Sequence, residues 1–471
     1  MVWVQQFKSR PAKRGMQAYE EKIQSQQRDP VGHLRCICGG SRSAGRSHRQ
    51  QSVLLVDLYD PPVLIPYGLI ASELGTTYQG DGGLYDWVSK AYPDTKWGAR
   101  ASWWYWLNFP LWMASLAVIC PDLISTATGL TLGAVPGLLV QLAFVWIVTL
   151  IACFPVCDNI FILNICAVIK VVLALLVGVM GIYFGIKNGF ANDMSPASFL
   201  PSFDLESLSF ISVIVFNMLG FEVVCTFSDD MSDPKKQIPQ AIIIGGLVIA
   251  AIYLIGGFGI GAAIPTHEIS SSSGLIDAII LMTGRSGGLF IGAIALLFMV
   301  TLFGNMISWS MGVNSTAAYA ADNGDMPRIF SRRWARNDMP IGAALTNGIV
   351  ASAIVLLGIL MQLIAPGSEL FWSFFALNLV LFLLSYLPVF PAFLKLRRAD
   401  PDAERPFRVP GGPVVQKIMA ALPMILIVIA ILFTAIPMSA DAAADTLPIT
   451  IGSILCIALG ELLIAVRGRQ K

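Results

Sequence analysis

The chain has 471 residues, 55% of them hydrophobic and 13% charged, with a net charge of +1 and a mean hydropathy of +0.69. This balance fits a polytopic membrane protein and excludes a soluble enzyme, whose core could not take up so much apolar surface. Eight scattered cysteines, three histidines outside the apolar runs and the lack of a GxxxxGK[ST] loop leave no pattern for a metal centre, a disulfide framework or ATP-driven transport.

Residues 1 to 52 hold ten Lys or Arg, three acidic residues and no apolar run, which predicts a polar, disordered tail without a signal-peptide core. The membrane domain is expected over residues 53–471. Its first segment, about Val53 to Tyr78, carries Asp57, Asp60, Pro61, Pro62 and Glu73 and is a poor span at its front end. Better spans follow at 101–127, 134–156, 159–186, 207–228, 239–264, 286–318, 342–365, 370–394, 415–437 and 446–466. Each supplies the ~20 apolar residues that a ~30 Å hydrocarbon layer requires. Eleven spans result, in an all-α polytopic fold.

Basic residues alternate between the loops. One side carries Lys90, Lys96, Arg100, Lys235, Lys236, the arginines 328, 332, 333 and 336, a group from Lys395 to Lys417, and Arg467, Arg469 and Lys471. The other carries only Lys187 and Arg285. The positive-inside rule makes the first side cytoplasmic and places the C-terminus inside, in a plasma or inner cell membrane. Eleven spans then put the basic tail outside, against the same rule, so one span near the N-terminus is expected to be missing.

The stretch Ser207 to Gly246 breaks at Gly220-Phe221 beside Glu222. Irregular backbone and a carboxylate at membrane depth are tolerated where they line a cavity or lie buried in protein, so the break reads as a binding site; a glycine kink with a structural carboxylate is the plainer alternative. Lys170 lies roughly 18 Å into its helix, too deep to snorkel easily. Asn108, Met113 and Ser115 are candidate wall groups of the span at 101–127, with no register to choose among them. Glu222 and Lys170 as the only evident charges of the site point to neutral or zwitterionic substrates.

Four stretches resemble the amino acid, polyamine and organocation (APC) superfamily of permeases. IPYGLIASELGTTYQGDGGLYDWV is similar to the family's second helix and following loop, and LGFEVVCTFSDDMSDPKKQIPQAI to its sixth helix and turn. WSMGVNSTAAYAADNGDMP is similar to the end of its eighth helix, and ERPFRVPGG to the loop before its eleventh. The resemblance implies a LeuT-type inverted-repeat fold of twelve helices, of which this chain supplies the second to the twelfth. It further implies a secondary transporter of an amino acid or amine, by proton symport or exchange, with a small-molecule substrate, membrane lipid around it and no cofactor, metal or nucleic acid; a homodimer stays open.

The missing element is the family's first helix, whose glycine-rich break holds the substrate carboxylate. LLVDLYD at Leu54 to Asp60, written with suitable synonymous codons and read one base later, gives an apolar Ser-Trp-Trp-Ile-Cys-Met-Ile; the residues before about Pro62 are therefore expected to be out of frame. A transport-inactive protein is the resulting alternative, and a sodium-coupled symporter is another. By resemblance, substrate would lie at Phe216, Asn217, Leu219, Gly220, Phe221, Glu222 and Trp309, with the second half of the broken helix starting at Val223 or Val224. Lys170 would stand where sodium sits in sodium-driven members, and Glu222 would pair with a cation or titrate. Asp229, Asp230, Lys235 and Lys236 would support the cytoplasmic gate.

Overall fold

The computed structural model describes residues 52–80, 82–193, 211–265, 274–284, 288–364, 370–436 and 443–468. The basic tail up to residue 51, and with it most of the stretch before Pro62 expected to be out of frame, lies outside the described residues; residues 52–61 form the first turns of the first helix. Side chains of 52–62, 229 and 230 lie outside the described residues too.

Among the described residues the chain is helical, with nine helices long and apolar enough to cross a membrane. The first helix, α1 (Ser52–Thr77), is followed by a short α2 (Leu84–Ala91) and by α3 (Trp97–Thr128), α4 (Ala134–Ile151) and α5 (Val156–Asn188). A broken span comes next: α6 (Ile211–Asn217), a turn, and a 3-10 helix at Phe221–Asp230. After it come α7 (Pro234–Ala263), α8 (Gly274–Thr283), α9 (Leu289–Asp322), α10 (Ile341–Ile364), α11 (Leu370–Tyr386), α12 (Val389–Ala399), α13 (Pro413–Ala435) and α14 (Ala443–Gly468). Taken with α1 and the broken span, the nine make up the eleven segments read from the sequence.

The helices sort into an inner and an outer set. In α3, 78% of the apolar stretch is buried, and in the α11–α12 span 72%; in α14 only 17% is. The reason is compositional. The Trp103, Trp104, Tyr105 and Trp106 run, with Asn108 and Ser115, makes α3 too large and too polar to face lipid, and its full circumference is buried. By contrast, α4, α10, α13 and α14 present Leu139, Ile349, Ile425 and Leu455 outward, as a lipid-facing helix does.

Local chemistry sets the boundaries. Asp233-Pro234 starts α7, with proline at the first helical position, where its missing N–H costs nothing. Leu387-Pro388 divides α11 from α12 because proline cannot continue the α11 hydrogen-bond ladder. α5 and α7 pack backbone to backbone: a Cβ built on Gly181 would lie 2.0 Å from the Gly259 carbonyl oxygen. Glycine there permits the close approach typical of membrane helices. Gly181→Ala is expected to pry the pair apart, seen as loss of the monodisperse peak in size-exclusion chromatography; an unchanged peak would show that α5 and α7 can separate freely.

Candidate functional site

The break in the sixth span is built around Gly220. Its φ of +100° lies in the left-handed region open to glycine, and a Cβ there would sit 2.9 Å from the Trp309 ring. The α-helix ends at Asn217 and the 3-10 helix starts at Phe221, two or three residues before the expected start at Val223 or Val224. The side chain of Glu222 explains the early start. Its Oε2 accepts the Gly220 N–H at 3.0 Å, which ties the carboxylate back across the break.

The other oxygen, Oε1, accepts from the Tyr105 hydroxyl of α3 at 3.1 Å and from the Tyr386 hydroxyl of α11 at 2.5 Å. Glu222 is 1% exposed, and no Lys or Arg pairs with it among the described residues. Three separate elements therefore meet on one buried carboxylate.

Aromatic rings wall the break. Trp309 of α9 lies 5.9 Å from Tyr105, 5.7 Å from Trp112 and 5.7 Å from Phe382. Phe216 meets Trp112 at 5.3 Å, Phe375 at 5.4 Å and Phe382 at 5.0 Å, in edge-to-face geometry. These contacts fix the inward faces: Tyr105 and Trp112 on α3, and Phe375, Phe382 and Tyr386 on α11. Asn108 and Asn378 stand at helical spacing on the same two faces. Both are fully buried; the Asn108 Oδ1, both amide atoms of Asn378 and the Trp309 Nε1 have no hydrogen-bond partner among the described residues. Such orphaned polar atoms are costly in a protein interior.

The other residues singled out in the sequence fall in varied places. The amide of Asn217 donates to the Val213 carbonyl at 2.9 Å, within its own helix. Leu219 is buried in the turn, and Phe221 turns away to pack on Tyr67 of α1 at 4.9 Å. Met113 is buried, and the Ser115 hydroxyl donates back to the Trp112 carbonyl at 2.8 Å. Lys170 is buried and donates to Asn305 Oδ1 on α9 at 3.0 Å. Lys235 pairs with Glu404 at 2.8 Å and Lys236 with Asp233 at 3.7 Å, both at the exposed surface. The side chains of Asp229 and Asp230 lie outside the described residues.

A stronger network at that end of the bundle escaped the sequence reading. Glu73 of α1 is buried and accepts from Arg397 Nε of α12 at 2.7 Å, from a second Arg397 nitrogen and from the Val409 N–H at 2.6 Å. Arg405 Nε stands 3.5 Å away, so two arginines close on one carboxylate. Nearby, Asp325 beyond α9 accepts from the Tyr85 hydroxyl of α2 at 3.0 Å and from Lys96 at 3.1 Å. Burial, then the Asp325 charge, push the Tyr85 hydroxyl well up, so it stays a donor at every physiological pH. The loop that bears Arg405 and Val409 is the ERPFRVPGG stretch, whose residues here close one end of the bundle.

A membrane helix broken at a glycine, with a buried carboxylate at the break and aromatic and amide groups converging on it from three other helices, is the architecture of a secondary transporter. A family model described as amino acid permease matches residues 62–459, and the chain belongs to that family, within the APC superfamily. It is 61% identical over 403 residues, 85% of either chain, to the probable agmatine/putrescine antiporter AguD of Lactococcus lactis subsp. lactis (strain IL1403). It is 29% identical over 280 residues to the glutamate/gamma-aminobutyrate antiporter of the same organism, covering 58% of this chain and 54% of that protein. Among solved structures, that of MhsT in complex with L-phenylalanine matches with a TM-score of 0.59 over 91% of this chain and 99% of that one, at 18% identity; the LeuT-type fold is shared. The protein is a multi-pass membrane transporter, not an enzyme.

Proposed function

We propose that the protein is an antiporter of the cell membrane that exchanges small cationic amines, of the agmatine and putrescine kind, at the Gly220 break. The observation that carries this reading is Glu222, a buried carboxylate with hydrogen bonds but no countercharge among the described residues. A lone buried carboxylate costs several kcal/mol, which hydrogen bonds alone offset in part. A substrate ammonium supplies the missing charge, and the rings of Trp309 and Phe216 supply faces for cation–π contact. At the far end of a diamine or guanidino-amine, Asn378 and the Asn108 Oδ1 are acceptors for a second donor group.

This replaces the expectation of neutral or zwitterionic substrates with cationic ones. Lys170 donates to the neutral amide of Asn305, and the contacts of Glu222 are hydroxyl and backbone N–H donors, which leaves the Glu222 carboxylate for the substrate ammonium. In the proposed cycle Lys170 fills the place of a sodium ion, so exchange runs without sodium. The 61% identity to a probable agmatine/putrescine antiporter supports the same substrate class. Both amines are dications at neutral pH, so their exchange moves no net charge. The Glu73 cluster and the Asp325 cluster, together with Asp229, Asp230, Lys235 and Lys236, form the cytoplasmic gate that opens when one bundle rocks against the other, with the C-terminus inside.

Counterflow tests the proposal. Proteoliposomes loaded with putrescine should take up labelled agmatine far faster than empty ones, with or without sodium. Equal uptake by empty vesicles, stimulation only by sodium, or glutamate serving as well as putrescine as the internal substrate would each overturn it. Within this reading Trp309→Ala raises the KM for agmatine about twofold to thirtyfold, the loss of one cation–π contact of ~0.5–2 kcal/mol. An unchanged KM would remove Trp309 from the site.

A further inference from the structure

We propose that the connection between α9 and α10 is a binding site for one anionic phospholipid, its headgroup on Arg328, Arg332 and Arg336 and its acyl chains along α4 and α10. Four arginines fall within nine residues here, and their situations differ. Arg333 is neutralised by Asp322 at 3.0 Å and Asp338 at 3.6 Å. The guanidinium groups of the other three are exposed and have no acidic or hydrogen-bond partner among the described residues.

The connection is built to hold those charges in place. Phe330 is buried under Trp106, with ring centroids 4.5 Å apart. The Gly342 N–H donates to the Arg332 carbonyl at 3.0 Å, and the Trp334 N–H to the Met339 carbonyl at 2.9 Å. The Asn337 amide donates to the Cys153 carbonyl at the end of α4 at 3.0 Å. A connection fixed at both helices presents its cations with little ordering cost, which favours binding.

Its neighbours identify the ligand as a lipid. Trp334 pairs with Phe154 at 5.6 Å, an aromatic pair of the kind found at the headgroup level of a membrane. Ile329 is exposed beside the arginines. Below them α4 and α10 touch at Thr149 and Gly348, and the next residue of each helix, Leu150 and Ile349, is exposed. A phosphate group among three unpaired guanidiniums, with its chains along those two helices, matches both halves of the surface. Each basic residue near an acidic membrane surface is worth about a fivefold gain in affinity, so the three together amount to on the order of 100-fold.

The test is lipid retention by the purified full-length protein, read by native mass spectrometry during titration with phosphatidylglycerol. The triple variant Arg328→Gln, Arg332→Gln, Arg336→Gln should bind the lipid about 100-fold more weakly, and Arg336→Gln alone about fivefold. Arg398→Gln, Arg408→Gln, Lys417→Gln removes the same charge from exposed positions elsewhere on the basic face and should leave retention unchanged. Equal losses in the two triples would mean bulk surface charge and no site, and no loss in the first would equally overturn the proposal. Phosphatidylcholine and inorganic phosphate are expected to compete poorly; displacement by inorganic phosphate as effective as by the lipid would show an anion site and contradict the assignment to a phospholipid.

Discussion

Replacing Glu222 by glutamine is expected to abolish exchange of cationic amines while leaving the protein folded. The Glu222 carboxylate and a bound ammonium at ~4 Å interact by roughly 4 kcal/mol at an effective dielectric constant of ~20, so losing the charge lowers kcat/KM on the order of 1000-fold. The amide preserves the architecture, because its oxygen can still accept the Gly220 N–H and the hydroxyls of Tyr105 and Tyr386 can rotate to accept from its nitrogen. Glu222→Ala behaves differently. It leaves three buried donors without an acceptor, at ~1–3 kcal/mol each, and should lower folded yield as well as transport. Initial rates of labelled putrescine uptake, normalised to monodisperse protein, separate the two effects. If Glu222→Gln transported at the wild-type rate, the carboxylate would be structural and the substrate would bind elsewhere.

The second large effect is expected at Glu73. Its replacement by alanine strands two arginines and the Val409 N–H around a buried position. Removing one partner of a buried ion pair typically costs 3–5 kcal/mol. Thermal denaturation in detergent should show a clear fall in midpoint for Glu73→Ala, whereas Lys235→Ala, which breaks an exposed pair, changes stability by no more than ~1 kcal/mol. A Glu73→Ala protein as stable as the wild type would show that the cluster does not hold that end of the bundle together.

These two carboxylates show how much of the site could be read from the chain. Glu222 was legible because a charge beside a glycine in an apolar run is rare, and the same argument marked Lys170. The spans were legible from length and apolar content. Their facing was not: α3 is buried on every side over most of its length, so no polar stripe marks its inward face, and Asn108, Met113 and Ser115 look alike. Ring contacts show that Asn108 shares its face with Tyr105 and Trp112, while Ser115 is spent on its own helix. Tyr386 and Asn378 did carry a signal as polar groups in an apolar run at helical spacing from Phe382. The Glu73–Arg397 pair carried none, since its members lie 324 residues apart and only the fold brings them together. Glu73 itself counted in the sequence against α1 as a span, and burial among arginines is what makes the charge tolerable there.

Binding of labelled agmatine to the detergent-purified protein tests the role of Glu222 most directly, because it needs no vesicle or gradient. Saturable binding that putrescine displaces and glutamate does not, and that disappears in a folded Glu222→Gln protein, is the predicted result. Undiminished agmatine binding by Glu222→Gln, or displacement by glutamate in preference to putrescine, would contradict it.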